Sequence, residues 1–137
     1  MVDTNDFDTF NRFTKVSRET ISSLKKYEKL LIKGNENLNL VGKSTINKVW
    51  TRHFLDSYQV IDFIEENTYD IFDIGSGAGF PGLVLALAAK EKGFKIMTHL
   101  IEKSPKKTKF LKETINELNL NAEVINENVF EYQSKIR

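Results

Sequence analysis

Cysteine is absent from the 137 residues. That excludes disulfides, thiolate metal sites and thiol catalysis, and it fits a reducing, cytoplasmic setting. Histidine occurs only at His53 and His99, with no spaced carboxylate cluster beside either, so no metal site is expected. No apolar run approaches the ~20 residues of a membrane span, and Met1–Phe10 is acidic rather than signal-like. Neither a Gly-Xaa-Ser-Xaa-Gly elbow nor a phosphate-loop Gly-Lys-Ser/Thr occurs. An excess of charge of one sign is missing too. Lysine and arginine number 20 against 19 acids, a net +1 that leaves nucleic-acid binding to local patches rather than to the average.

Repeats, low-complexity tracts and obvious linkers are likewise lacking. The length suits one domain that buries roughly two-thirds of its unfolded surface. Two kinds of patterning divide it, helical over residues 1–66 and strand–helix alternation over 67–137. In Ser17–Gly34, Ile21, Leu24, Tyr27, Leu30 and Leu31 recur at helical steps, with Ser17 as N-cap and Gly34 just past the end. Asn35–Lys43 is turn-rich. Ser44 is expected to cap a further helical region carrying Ile46, Val49, Trp50, Phe54, Ile61 and Ile64.

Strands are expected over Tyr69–Ile74, Lys95–Ile101 and Ala122–Asn126. Between them lie an all-round apolar helix around Leu83–Ala89 and a second helix opened by Ser104-Pro105 as N-cap and first residue. This order predicts an α/β fold with a parallel sheet and right-handed crossovers. With three strands, the first is expected to be an exposed apolar edge, as in a fragment or in a chain covered by another.

The most informative stretch is Asp73-Ile-Gly-Ser-Gly-Ala-Gly-Phe-Pro-Gly82, a strand end, a glycine turn and a helix start. Such a corner brings backbone close to a nucleotide-type ligand at the carboxyl end of a strand. Gly75, Gly77 and Gly79 alternate, and Phe80 stands where a dinucleotide fingerprint has its last glycine; its bulk is expected to bar the close helix–strand approach that glycine supplies there, which argues against a nicotinamide-dependent oxidoreductase. Asp73 can brace the turn or meet a cationic ligand group. Glu102, ending the second strand, can accept both ribose hydroxyls of an adenosine; its plain alternative is a solvated carboxylate paired with Lys103 or Lys106. Lys103, Lys106, Lys107, Lys109 and Lys112 form either a phosphate-neutralising patch or simply a solvated helix face. Arg52 has the planar fork that suits phosphate or base edges, and His53 is either a proton shuttle or a structural core histidine.

Four stretches together resemble one family. They are Asn37-Leu-Asn-Leu40, Arg52-His-Phe-Leu-Asp-Ser57, the glycine turn with its Phe-Pro-Gly ending, and Leu100-Ile-Glu-Lys-Ser104 with the lysine-rich helix through Leu111. The chain resembles RsmG, also called glucose-inhibited division protein B, from about Leu24 to Tyr132. The resemblance implies a class I S-adenosylmethionine (SAM) fold of Rossmann-like topology, of which only the first three strands are expected here. It implies methyl transfer to a guanine N7 of small-subunit (16S) ribosomal RNA. It also implies cofactor contacts at Gly75, Phe80, Glu102, Val129 and Phe130; the reading of the glycine turn adds Asp73, Gly77 and Gly79, and a guanine N7, which already carries a lone pair, calls for no catalytic base. Arg52, His53, Lys106 and Lys107 are the RNA candidates. Members usually carry a Ser-Arg-Ala segment after a fourth strand, and the sequence stops before it. The expectation is therefore a C-terminally truncated member, with a non-catalytic SAM- or RNA-binding module as the alternative.

Overall fold

The computed structural model describes residues 4–128 and 130–131. Two helices open the chain, α1 (Thr4–Thr14) and α2 (Arg18–Gly34). Ser17 caps α2 by accepting the Thr20 N–H, while its own N–H donates to Glu91 at 2.7 Å. Gly34 does not lie past the end of α2. It is the helix's last residue, and Asn35 follows in right-handed conformation. Its missing side chain serves packing instead: a Cβ there would stand 2.7 Å from Leu40 and 3.2 Å from Phe110.

Ser44 likewise is not a cap. Gly42 precedes the short α3 (Lys43–Ile46), and Ser44 lies inside it. The helical region beyond it is broken into a π-helical turn (Trp50–Leu55), α4 (Asp56–Tyr58) and a 3-10 turn (Gln59–Phe63). Buried Asp6 of α1 holds the start of the π turn, accepting the backbone N–H groups of Trp50 and Thr51 and the Thr51 hydroxyl.

The α/β part follows as β1 (Asp70–Ile74), α5 (Gly82–Lys92), β2 (Met97–Ile101), α6 (Pro105–Leu118) and β3 (Ala122–Ile125). The strands pair in parallel in the order β1-β2-β3, with Asp73 opposite Leu100 and Leu100 opposite Val124. The expected parallel α/β layout is thus present. α5 is buried from Gly82 to Ala89, because it meets the sheet on one side and α2, α4 and the 3-10 turn on others. β1 is an edge of the sheet, and Phe72 and Ile74 on its outer face remain 47% and 54% exposed.

One core joins the two parts. Phe10, Tyr27, Trp50 and Phe54 from the helical part cluster with Leu83, Leu87, Leu100 and Leu111 from the α/β part. Among the described residues no helix is long and apolar enough to cross a membrane.

Candidate functional site

The carboxyl ends of β1 and β2 converge on the glycine turn. Gly75 and Ser76 donate their N–H groups to Ile101 O, fixing the turn to β2 at 2.9 and 3.3 Å. Gly75, Gly77 and Gly79 all have left-handed φ, at 73°, 55° and 98°. Beyond that their surroundings differ. A Cβ on Gly75 or Gly77 would meet nothing within 4 Å, whereas one on Gly79 would meet the Tyr27 hydroxyl at 2.5 Å and Leu83 at 2.6 Å. The first two glycines face open space and the third faces the core.

Phe80 does occupy the position a dinucleotide motif gives to glycine, but the close helix–strand approach is not lost. It falls two residues later, at Gly82, where a Cβ would stand 2.5 Å from Asp73 Oδ2 and 2.9 Å from Leu100. The expectation drawn from Phe80 is corrected accordingly: the phenylalanine moves the approach along the helix instead of preventing it. Asp73 uses that room to brace the turn, accepting the Gly82 N–H at 3.0 Å. Burial, with the Glu102 charge adding to it, raises its pKa despite this bond.

Glu102 is not the solvated, lysine-paired residue of the plain alternative. It is 7% exposed, accepts the Gly77 N–H at 2.7 Å and the Ser104 N–H at 2.9 Å, and so ties the turn to the start of α6. Its backbone is fixed as well, by Ile125 O on one side and by the Asn126 amide on the other. A carboxylate offers about four acceptor positions. Two are engaged here by backbone donors. The open side of the turn continues into a cleft of about 560 Å³ lined by Ile74, Gly75, Gly77, Glu102, Lys107 and Phe130, among others. Phe130 is 79% exposed there. Val129 lies outside the described residues.

The polar group Arg52–Ser57 takes its place behind the turn. His53 stacks on Phe80 (ring centroids 4.8 Å apart, 15° between planes) and its Nε2 lies 3.0 Å from the Thr45 hydroxyl. Burial lowers its pKa, so the ring is neutral at pH 7. Arg52 is exposed on the same π turn. The two lysine candidates part company. Lys107 lines the cleft, while Lys106 turns to a separate groove between α2 and α6.

Two contributors carried no local signal. Tyr27 reaches across 51 residues to donate its hydroxyl to Ala78 O at 2.5 Å, and its ring stacks on Phe80 at 5.4 Å. It reads in sequence only as one member of an apolar stripe. Gly82 could have been found from the Pro-Gly that ends the turn. Among the described residues no group of histidines and carboxylates could hold a metal ion.

The arrangement supplies unobstructed backbone, a buried carboxylate held by two backbone donors and an open cleft. Comparison with known proteins points the same way. The profile of the GidB family, described as rRNA small subunit methyltransferase G, matches residues 20–137. Three relatives all bear the name Ribosomal RNA small subunit methyltransferase G. The one from Rhodospirillum centenum is 49% identical over 72% of this chain and 43% of its own length. That from Parvibaculum lavamentivorans is 41% identical over 79% and 47%. The Rickettsia akari protein is 41% identical over 84% and 58%. The chain spans about half the length of the curated relatives it matches.

Proposed function

The chain belongs to the GidB family of small-subunit rRNA methyltransferases, and from that membership we propose that it binds SAM in the Glu102 cleft and acts in methylating a guanine N7 of small-subunit ribosomal RNA in the cytoplasm. The observation that carries this reading is Glu102. Its carboxylate is buried and held by two backbone donors, with acceptor positions left over beside the open faces of Gly75 and Gly77. An adenosine diol fits that acceptor set, and the rest of a nucleoside-sized group fits the cleft.

When bound, SAM supplies a methyl group on a positively charged sulfur. The guanine N7 already carries an in-plane lone pair, so the protein needs no general base; it has to align donor and base and to screen the charge that develops on the purine. Gly75 and Gly77 allow the close approach, Glu102 orients, and Phe130 and Ile74 give the cleft an apolar wall. His53, neutral and stacked on Phe80, supports the turn. In this reading exposed Arg52 and Lys107, which lines the cleft, contact the RNA. The target base has to leave its stack to reach such a cleft.

Calorimetric titration with S-adenosylhomocysteine, with NADH as control, tests the binding step. Saturable binding of the first and none of the second supports it, and no binding by a folded chain overturns it. Transfer of labelled methyl from SAM to small-subunit RNA then tests the chemistry. Binding without transfer would confine the reading to cofactor recognition.

A further inference from the structure

α2 divides its charges unevenly. Arg18, Lys25, Lys26, Lys29 and Lys33 are all exposed. At about 100° per residue they fall within an arc of about 100° and run about 22 Å along the helix. The two acids of α2 have partners of their own, although the charges of Lys25 and Lys29 still act on Glu28. Glu28 accepts the Trp50 indole N–H at 3.1 Å, and Glu19 lines a separate cleft with Thr20, Lys90 and Glu91. Among the described residues no carboxylate lies within 4 Å of an α2 lysine or arginine to form an ion pair. The stripe borders concave surface at both ends. Arg18, Lys25, Lys26 and Lys29 line a groove of about 620 Å³ between α1 and α2, with no carboxylate in its lining. Lys33 lines the α2–α6 groove of about 380 Å³ together with Lys106 and Lys109, against one carboxylate, Glu113. Lys107, next in sequence to Lys106, is already in the cleft of Glu102.

We propose that the outer face of α2, continued by Lys106 and Lys109 of α6, is a phosphate-binding track along which an RNA backbone is led to the cleft. The inference rests on the RNA reading above and adds the surface that reading lacks. Lysine is well suited to such a track, because a compact ammonium on a long stem meets phosphates as a point charge and carries none of the planar fork that reads base edges. The track therefore supplies affinity and register, and base choice belongs to the cleft.

The test is fluorescence anisotropy of the full chain with a labelled RNA hairpin bearing a guanine in its loop, over a salt series. The wild type is compared with a Lys25→Gln/Lys29→Gln/Lys33→Gln variant and with the corresponding triple arginine variant. All three positions are exposed and both replacements favour helix, but Lys25 also lies over the Phe7 ring at 5.0 Å, so each variant's melting curve is recorded first and RNA binding is compared between folded proteins. Each engaged lysine contributes about 0.7–0.9 to the slope of log affinity against log salt. The glutamine variant should lose about 2 from that slope and about tenfold or more in affinity at low salt, while arginine keeps both. Unchanged affinity and slope in the glutamine variant would overturn the track and leave the methyltransferase reading intact. Absence of RNA binding by the wild type, or lysine-dependent binding to phosphatidylserine vesicles in its place, would overturn it too. S-adenosylhomocysteine titration of the same samples reports separately on the cofactor site and should give equal affinities for all three proteins.

Discussion

The two halves of the glycine turn lack side chains for different reasons. Gly75 and Gly77 are left-handed with space beyond them, and Gly79 and Gly82 are filled against by Tyr27, Leu83, Asp73 and Leu100. The front half borders open space, which the proposed function fills with a ligand. The back half is bare because the chain itself needs the room. A glycine-rich motif is therefore part open surface and part packing seam, and only the neighbours tell which glycine is which.

Substitution should separate the halves. The largest effect is expected at the back. Gly82→Ala places a methyl against Asp73 and Leu100, and Gly79→Ala adds the strain of φ 98° to a clash with Tyr27 and Leu83. Each should cost about 2–4 kcal/mol, read as a fall in thermal midpoint of about 3–5 °C per kcal/mol. Tyr27→Phe removes the bond to Ala78 O and leaves that carbonyl unpaired in the core, at about 1–3 kcal/mol. Chemical denaturation checks it.

At the front, Gly75→Ala should cost only about 1 kcal/mol, for its left-handed backbone. Its methyl enters the space argued to hold the ligand, so S-adenosylhomocysteine affinity should fall at least about tenfold while the fold persists. Equal losses of stability at Gly75 and Gly82 would erase the distinction between the halves.

The smallest effects come from the two histidines, which differ in sign. Behind the turn, burial depresses the pKa of His53, so its contribution is present above the unfolded value near 6.5 and is lost as pH falls. On the sheet, His99 bridges three strands, with Nε2 2.7 Å from Asp70 and Nδ1 2.8 Å from Glu123. Burial opposes its charge, but the two carboxylates outweigh burial and raise its pKa. Its contribution is present below 6.5 and is lost as pH rises through the raised value. Asp70 and Glu123 are about half exposed, so the effect should stay under about 1 kcal/mol. His99→Gln should flatten the alkaline side of a stability–pH curve, and His53→Gln the acid side.

Much of the fold is legible locally. Ser17 and Ser104-Pro105 mark their helix starts, and the apolar runs give three parallel strands within about two residues of their ends. Gly34 and Ser44 mislead for opposite reasons. Gly34 answers to Leu40 and Phe110, a tertiary demand that local capping rules do not contain. Ser44 has the right chemistry, yet Gly42 takes the cap two residues earlier and the helix lasts barely one turn. The π turn at Trp50–Leu55 is set by Asp6, over forty residues away. In the site, the motif itself shows the turn and Glu102. The split between Lys106 and Lys107, and the reach of Tyr27, depend on how helices pack and carry no local signature.

Whether the bare front of the turn holds a cofactor is decided by calorimetric titration of the wild-type chain and Gly75→Ala with S-adenosylhomocysteine, each first shown to be folded by its melting curve. Saturable one-site binding by the wild type and at least tenfold weaker binding by the variant are expected. A folded wild type that takes up no ligand, or a Gly75→Ala protein that binds equally well, would contradict the assignment.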